Sequence, residues 1–159
     1  MALFGNLIWL ILGGFAIGGL YLLGAVILFP LLPFLWPLVK YSFWPFGRRP
    51  VSKKIIDQYK KANNMELDKD DFASASKNAK LCANIIWAPT FGLLLFIIHL
   101  IAGIVNLIAC IIIITIPICY PHALAHFKLM TVSFSPFGVR LIPSSLADDI
   151  EKESAKAML

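Results

Sequence analysis

Charge is missing from two long stretches of the chain. No Asp, Glu, Lys or Arg occurs before Lys40, and none occurs between Lys80 and Lys128. Only 14% of the 159 residues are charged, where a soluble domain has about a quarter, and 59% are hydrophobic. A helix needs about 20 apolar residues to cross a hydrocarbon core about 30 Å thick, so each stretch is long enough to cross. The composition predicts an all-α membrane protein.

Cysteine pairs and an amino-terminal basic cluster are also missing. The chain has three cysteines, an odd number, and Cys110 and Cys119 lie in the second uncharged stretch, which excludes a disulfide framework. A secretory signal begins with basic residues, and none precedes the first apolar run. We therefore expect the amino-terminal segment to remain in the mature protein.

Catalytic patterns are absent as well. The sequence has no nucleophile–base pair, no phosphate-binding loop and no paired carboxylates, so we expect no enzymatic activity and no cofactor. Neither uncharged stretch contains the carboxylate that proton-coupled or sodium-coupled carriers usually need in the membrane. This argues against coupled transport.

The residues that are present divide the chain into four parts. We predict a first membrane repeat over 1–46, a basic linker with short amphipathic helices over 47–83, a second membrane repeat over 84–142 and a charged carboxy-terminal tail over 143–159. In the linker, Ile55, Ile56 and Tyr59 recur at helical spacing among lysines and indicate a helix at the membrane surface. A second short helix is predicted after Leu67.

Basic charge is concentrated in the middle of the chain. Residues 40–83 hold ten Lys and Arg against five Asp and Glu, which accounts for the whole net charge of +5. Basic loops between spans stay on the cytoplasmic side, so we predict that the linker and the carboxy terminus are cytoplasmic. Basic residues beside a bilayer attract anionic lipid headgroups by about 1 kcal/mol each, and we expect this lipid partner rather than nucleic acid.

Two phrases occur twice in the same order. "NLIW" at Asn6–Trp9 recurs as "NIIW" at Asn84–Trp87, and "PFGRR" at Pro45–Arg49 recurs as "PFGVR" at Pro136–Arg140. The order predicts a tandem duplication. The apolar part of each copy is long enough for two crossings, so each copy is predicted to be a helical hairpin. A single long tilted helix is the alternative for the first copy.

Glycines and prolines suggest how each hairpin turns and returns. We expect the first turn at Gly18-Gly19 or Gly24 and the second near Gly103–Asn106. The returning arms are predicted to be kinked or broken by proline, with their last portions along the membrane interface. There the PFG phrase is predicted to end each arm: its Pro stops the helix, its Phe anchors it and its Gly turns the chain. The prolines that kink or break the arms are Pro30, Pro33, Pro37, Pro117 and Pro121; the predicted interfacial anchors are Trp36, Trp44, Arg48, Arg49, Lys128 and Arg140.

Polar residues inside the apolar stretches are the default functional candidates. Four of them are candidates for lining a pore: Asn6, Asn84, His99 and Asn106. The alternative role for the first two is helix capping at the interface, and for the histidine a hydrogen bond to a neighbouring helix.

Two further patterns are weaker signals. Gly14 and Gly18 form a GxxxG helix-packing motif, whose partner is either in this chain or in another subunit. Cys119, His122 and His126 are a weak metal-site candidate, since a fourth ligand is missing and a proline lies among them.

The two copies together resemble a known family. "NIIW", "ITIPICYPHALAHFKL" and "SPFGVRLIP" in the second copy, with "NLIW" and "PFGRRPV" in the first, resemble the YccF-like inner-membrane family. The resemblance implies a small multi-pass protein of the bacterial inner membrane, with no established activity and no catalytic residues. The sequence alone leaves an organellar membrane open as well.

Two functions compete on this evidence. One is a homo-oligomeric pore or passive transport channel, with anion preference because positive charge lies near its mouth. The other is a non-catalytic structural hairpin protein that shapes the membrane, or an accessory subunit of a larger membrane assembly. Both predict the bilayer as a partner, together with further copies of the chain or membrane-complex partners.

Overall fold

The computed structural model describes residues 2–66 and 77–156, and it is 82% helical, as the predicted all-α membrane protein requires. Two helices are long and apolar enough to cross a membrane, Ala2–Ile27 and Asn78–Ala109. The predicted second linker helix after Leu67 lies outside the described residues. The helices and strands in chain order are α1 (Ala2–Trp9), α2 (Phe15–Ile27), α3 (Leu32–Phe43), β1 (Arg48–Ser52), α4 (Lys53–Ala62), α5 (Lys77–Trp87), α6 (Leu93–Ala109), α7 (Ile116–Phe134), β2 (Val139–Pro143) and α8 (Ser144–Lys156).

Each apolar block folds as a helical hairpin. In the first hairpin, α1 and α2 form the first arm and α3 returns along it; in the second, α5 and α6 form the first arm and α7 returns. A five-residue π-helical segment joins the two helices of each first arm, Leu10–Gly14 in one and Ala88–Gly92 in the other. Within the first of these, Gly13 has a φ of 126°, a backbone conformation that glycine adopts without strain.

The turns lie later than the glycines predicted. The first hairpin turns after Ile27, through the short helical turn Phe29–Leu31, and the second turns between Ala109 and Ile116. Gly24 and Gly103 are packing positions instead, because a methyl group on them would lie 2.7 Å from the Phe91 ring and 2.8 Å from the Phe127 ring.

The prolines of the returning arms do not end helices. Pro37 lies inside α3 and Pro121 inside α7, and both helices continue past them.

At the second turn, the Thr115 hydroxyl donates to the carbonyls of Ala109 at 2.6 Å and Ile112 at 2.7 Å. A side chain therefore satisfies backbone groups that the end of α6 leaves free.

A small module that the sequence analysis missed joins the polar ends of the two hairpins. We call it the polar-end module and define it as β1, α4, β2 and α8. The strands pair antiparallel, with Arg48 opposite Pro143 and Pro50 opposite Leu141. Each strand starts after a glycine with positive φ, 93° at Gly47 and 111° at Gly138, which turns the chain out of the returning helix.

The module has its own core. It is formed by Ile56, Ile142, Ala147 and Ile150. Helix α4 is the amphipathic linker helix that the sequence predicted, but its residue Ile56 packs into the module and is only 2% exposed. The tail residues up to 156 form α8, which covers the other side of this core.

The hairpins share a second, larger core, while their outer surfaces are apolar. This core draws residues from both first arms, including Trp9, Tyr21, Trp87 and Leu95. Large aliphatic side chains cover the outside, and Ile114 at the second turn is 86% exposed. Such a surface suits hydrocarbon rather than water.

Candidate functional site: paired latches and a buried polar centre

An asparagine closes the polar end of each hairpin. The Asn6 side-chain amide donates to the Phe46 carbonyl at 3.2 Å, and the Phe46 backbone N–H donates back to the Asn6 oxygen at 2.9 Å. Asn84 makes the same two bonds with Phe137, both at 3.3 Å. Asn6 is fully buried within α1 and Asn84 lies within α5, so neither caps a helix start, and that alternative is wrong.

Near each asparagine, a tryptophan makes a further hydrogen bond to the returning arm. The indole N–H of Trp9 donates to the Ser42 carbonyl at 2.9 Å, and that of Trp87 donates to the Ser133 carbonyl at 2.6 Å. We call the Asn and Trp contacts of one hairpin together its latch. Each latch joins the start of the first arm to the end of the returning arm and satisfies buried backbone groups there.

The π-helical segments bring glycine under each tryptophan. A methyl group on Gly14 would lie 2.2 Å from the Trp9 ring, and one on Gly92 would lie 3.0 Å from the Trp87 ring. A methyl group on Gly18 would lie 2.5 Å from the ring of Phe43 in the returning arm. The GxxxG residues Gly14 and Gly18 therefore have packing partners within this chain.

A buried polar centre lies between the hairpins. The Tyr21 hydroxyl is 3.0 Å from His99 Nε2, and His99 Nδ1 is 3.0 Å from His126 Nδ1. Tyr21 and His99 are fully buried and occupy the same position in the two first arms, 78 residues apart. His126 comes from the returning arm of the second hairpin, so three helices are tied at one point.

The centre allows two orders of its protons. Of two imidazole nitrogens in contact, one must carry a proton and the other must accept it. In one order, the Tyr21 hydroxyl donates to His99, which donates to His126; in the other, both donations are reversed. The two orders differ in the tautomers of both histidines, because each neutral imidazole carries a single proton.

Aromatic rings connect this centre to the first latch. The Trp9 ring lies 4.7 Å from the His126 ring and 5.8 Å from the His122 ring, between centroids. His122 Nδ1 donates to the Ile118 carbonyl at 2.7 Å, whereas its buried Nε2 has no hydrogen-bond partner in the described part of the chain. The latch and the centre form one continuous packed unit.

The last lining candidate bonds within its own helix, and the three metal candidates do not converge. Asn106 donates to the Ala102 carbonyl of its own helix at 2.8 Å. Over residues 2–66 and 77–156, no three His, Cys, Asp or Glu side chains come together to hold a metal ion, and the candidate of Cys119, His122 and His126 is therefore wrong.

The predicted interfacial anchors have diverse surroundings. Arg49 donates to Asp148 at 2.6 Å and also pairs with Glu151, which directs it to α8. The Lys40 ammonium lies 5.5 Å from the centre of the Trp36 ring. The other anchors are the partly exposed Trp44, the exposed Arg48, the half-buried Lys128 and Arg140, which lies opposite Val51 in the ladder.

The sequence marked Tyr21 only as one of the polar residues of the apolar stretches, without a role, and it did not identify the two serines. The repeat held the signal for Tyr21, because its spacing from His99 is the same 78 residues that separate the two NxxW phrases. For Ser42 and Ser133 the contact is through the backbone carbonyl, so side-chain chemistry carried no signal.

Comparison with known proteins agrees with the resemblance noted from the motifs. The family model "YccF: Inner membrane component domain" matches residues 82–139, which contain the second latch and the histidines of the centre. The inner membrane protein YccF of Escherichia coli (strain K12) is 29% identical over 162 residues, covering 95% of this chain and 94% of that protein, and its counterpart from Shigella flexneri matches equally. No solved structure matches. The resemblance to the YccF family is therefore confirmed by the family model over residues 82–139, and the likeness to these inner membrane proteins extends over 95% of this chain.

Proposed function

We propose that this chain is a non-catalytic structural protein of the membrane, in which two hairpins form one rigid unit. One observation carries the proposal. Every polar side chain predicted to line a pore, Asn6, Asn84, His99 and Asn106, is hydrogen-bonded within the chain. Side chains whose polar atoms are engaged in this way are not free to replace the hydration shell of a passing solute.

We also propose that the unit arose by tandem duplication of a hairpin with its strand and helix. Support comes from bonds that occur in both directions between the copies. The Lys53 N–H donates to the Gly138 carbonyl at 3.0 Å, and the Ser144 N–H donates to the Gly47 carbonyl at 3.1 Å. Equivalent residues exchange these bonds, as expected where two copies meet about a local two-fold axis.

The position of the polar-end module suggests how such a unit acts on a bilayer. The module adds two strands and two helices at the end of the hairpins where both latches lie, while the opposite end has only short turns. A body that is wider at one leaflet favours curvature toward the other. The basic charge of its linker supports a cytoplasmic position for this wide end.

A homo-oligomeric pore with anion preference is the second candidate. The observation that favours it is the length of the apolar helices, 26 and 32 residues, which suffices for true crossings. Exposed aliphatic residues along α6, such as Ile101 and Val105, would then contact further copies of the chain or a larger assembly. The conducting path would run between copies.

Reconstitution into liposomes separates the two functions. The purified chain is incorporated at rising protein-to-lipid ratios, vesicle diameter is measured by electron cryomicroscopy, and chloride and potassium flux are measured on the same samples. The structural proposal expects smaller or tubular vesicles without flux. A matched Asn6→Ala/Asn84→Ala variant keeps the outer surface but lacks the asparagine bonds of both latches, and it should deform vesicles less. Flux through vesicles of unchanged shape would contradict the proposal and support the pore.

A further inference from the structure

A groove runs between the first returning arm and the second strand. It has a volume of about 440 Å³. Its α3 wall is apolar and includes Pro33, Phe34 and Pro37, while Arg48 and the residues around β2 complete the lining. A groove of this size and lining is suited to an apolar chain rather than to a free ion.

A smaller recess shares one residue with this groove. It has a volume of about 160 Å³ and is lined by Lys40, Tyr41, Trp44 and Arg48. Arg48 lines both spaces, so an apolar groove continues into a recess with two cationic side chains. The aromatic residue Trp44 is partly exposed beside them, as is typical of side chains at the level of lipid headgroups.

The positive charges of the recess are not neutralised by carboxylates that the structure describes. Over residues 2–66 and 77–156, the ion pairs join Arg49 to α8 and Lys53 to Asp57, and none involves Lys40 or Arg48. The Lys40 ammonium lies over the Trp36 ring, 5.5 Å from its centre. The recess is therefore complementary to an anion.

We propose that the groove and the recess together bind one anionic phospholipid. Its phosphate lies between Lys40 and Arg48, and one acyl chain follows the apolar wall of α3 past Pro37 and Phe34. Apolar and cationic surfaces are joined in the order that such an amphiphile requires. The proposal is independent of whether the chain is a structural protein or a pore.

The second hairpin lacks the corresponding site. Counting 91 residues on, as between the two PFG phrases, Lys40 corresponds to Thr131 and Arg48 corresponds to Val139. The space beside Phe46, in the first PFG phrase, is also occupied. The His122 ring of α7 lies 5.6 Å from the Phe46 ring. The proposal therefore predicts one bound lipid per chain.

Tryptophan fluorescence tests the site, since Trp36 and Trp44 lie beside the recess. The full chain in uncharged detergent is titrated with phosphatidylglycerol or phosphatidylcholine carrying brominated acyl chains, which quench nearby indoles. We expect saturable quenching by phosphatidylglycerol at one lipid per chain, with at least about tenfold weaker quenching by phosphatidylcholine, because two favourable charge contacts are lost.

Two charge-matched variants locate the site. Lys40→Ala/Arg48→Ala should weaken phosphatidylglycerol binding about tenfold or more. Lys54→Ala/Lys61→Ala removes the same charge from exposed positions on α4 and should change binding by less than about threefold. Equal losses in the two variants, or equal quenching of the wild type by both lipids, would overturn the proposal.

Two further measurements cover the remaining outcomes. Displacement of the brominated lipid by glycerol phosphate at a similar concentration would assign the recess to a soluble phosphate and overturn the lipid assignment. If the Lys40→Ala/Arg48→Ala variant does not fold, the wild type is titrated at low and high salt. Quenching by phosphatidylglycerol must then weaken with salt far more than quenching by phosphatidylcholine, and equal salt dependence would reject the site.

Discussion

The two hairpins are alike where they are latched and different where they turn. Each has an asparagine and a tryptophan that bond the backbone of its own returning arm. At the other end, α3 has 12 residues and α7 has 19, so the second hairpin is longer. The comparison teaches that hydrogen bonds between the two arms fix one end of this fold, while the opposite end differs in length between the hairpins.

The difference continues into the polar centre. Tyr21 and His99 hold the same place in the two first arms, but the histidines of the returning arm have no counterpart in the first hairpin. Counting 91 residues back, His126 corresponds to Leu35 and His122 to Leu31. The second hairpin therefore supplies two of the three hydrogen-bonding groups of the centre, and the first supplies Tyr21.

The largest effect should come from removing the asparagine of a latch. Asn6→Ala leaves the Phe46 N–H and carbonyl without their partners in a buried position, and we expect a loss of about 2 to 4 kcal/mol of unfolding free energy. Asn84→Ala should cost less, because Asn84 is only half buried and its bonds are longer. Unfolding in detergent, followed by circular dichroism, measures both. Asn106→Ala is the control, and an equal loss there would contradict the latch.

The tryptophan contacts should rank next. Trp9→Phe and Trp87→Phe each remove one indole N–H and leave a buried carbonyl unpaired, at a cost of about 1 to 3 kcal/mol. The two losses should be similar, since both serines that accept these bonds are fully buried. The same unfolding measurement applies, and a loss in only one hairpin would show that the latches are not equivalent.

Making the second hairpin like the first at one position tests the polar centre. His126→Leu introduces the residue of the first hairpin and leaves His99 Nδ1 without a partner, so we expect a loss of about 1 to 3 kcal/mol. Adding Tyr21→Phe and His99→Phe removes the other polar groups and should recover part of that stability. Thermal unfolding of the single and triple variants measures these losses. A triple variant whose loss equals the sum of the three single losses would argue against a coupled centre.

The smallest effect should come from the polar-end module. Arg49→Ala removes exposed ion pairs to Asp148 and Glu151, and the expected loss is about 1 kcal/mol or less. The loss should shrink further in high salt, which screens exposed charges. A loss as large as that of Asn6→Ala would show that the module, rather than the latch, holds the ends together.

The sequence predicted the hairpin landmarks but not the contacts between them. Asn6 and Phe46 are 40 residues apart, and the sequence around each of them does not indicate that they form hydrogen bonds with each other. The sequence did not show which face of each helix packs inside the protein and which faces lipid. Both surroundings are apolar, so the residues on the two faces do not differ in polarity. Glycines such as Gly24 indicated a turn by composition, while their use in packing depends on a neighbour such as Phe91.

The strands and the groove were beyond sequence reasoning for other reasons. "RRPVS" and "VRLIP" are five residues long and each contains proline, so neither shows the alternation that marks a strand. The recess combines Lys40, Trp44 and Arg48 from two elements, which only the fold places side by side.

The most direct test is whether both hairpins start and end on one side of the membrane. Cys82, Cys110 and Cys119 are replaced, and one cysteine is placed at Phe29 in the first turn, at Ile113 in the second or at Lys54 in the module. Intact cells are then labelled with a membrane-impermeant thiol reagent. The account predicts labelling at both turn positions and protection of position 54 until the membrane is opened. A first-turn cysteine as protected as position 54, with normal expression, would contradict it.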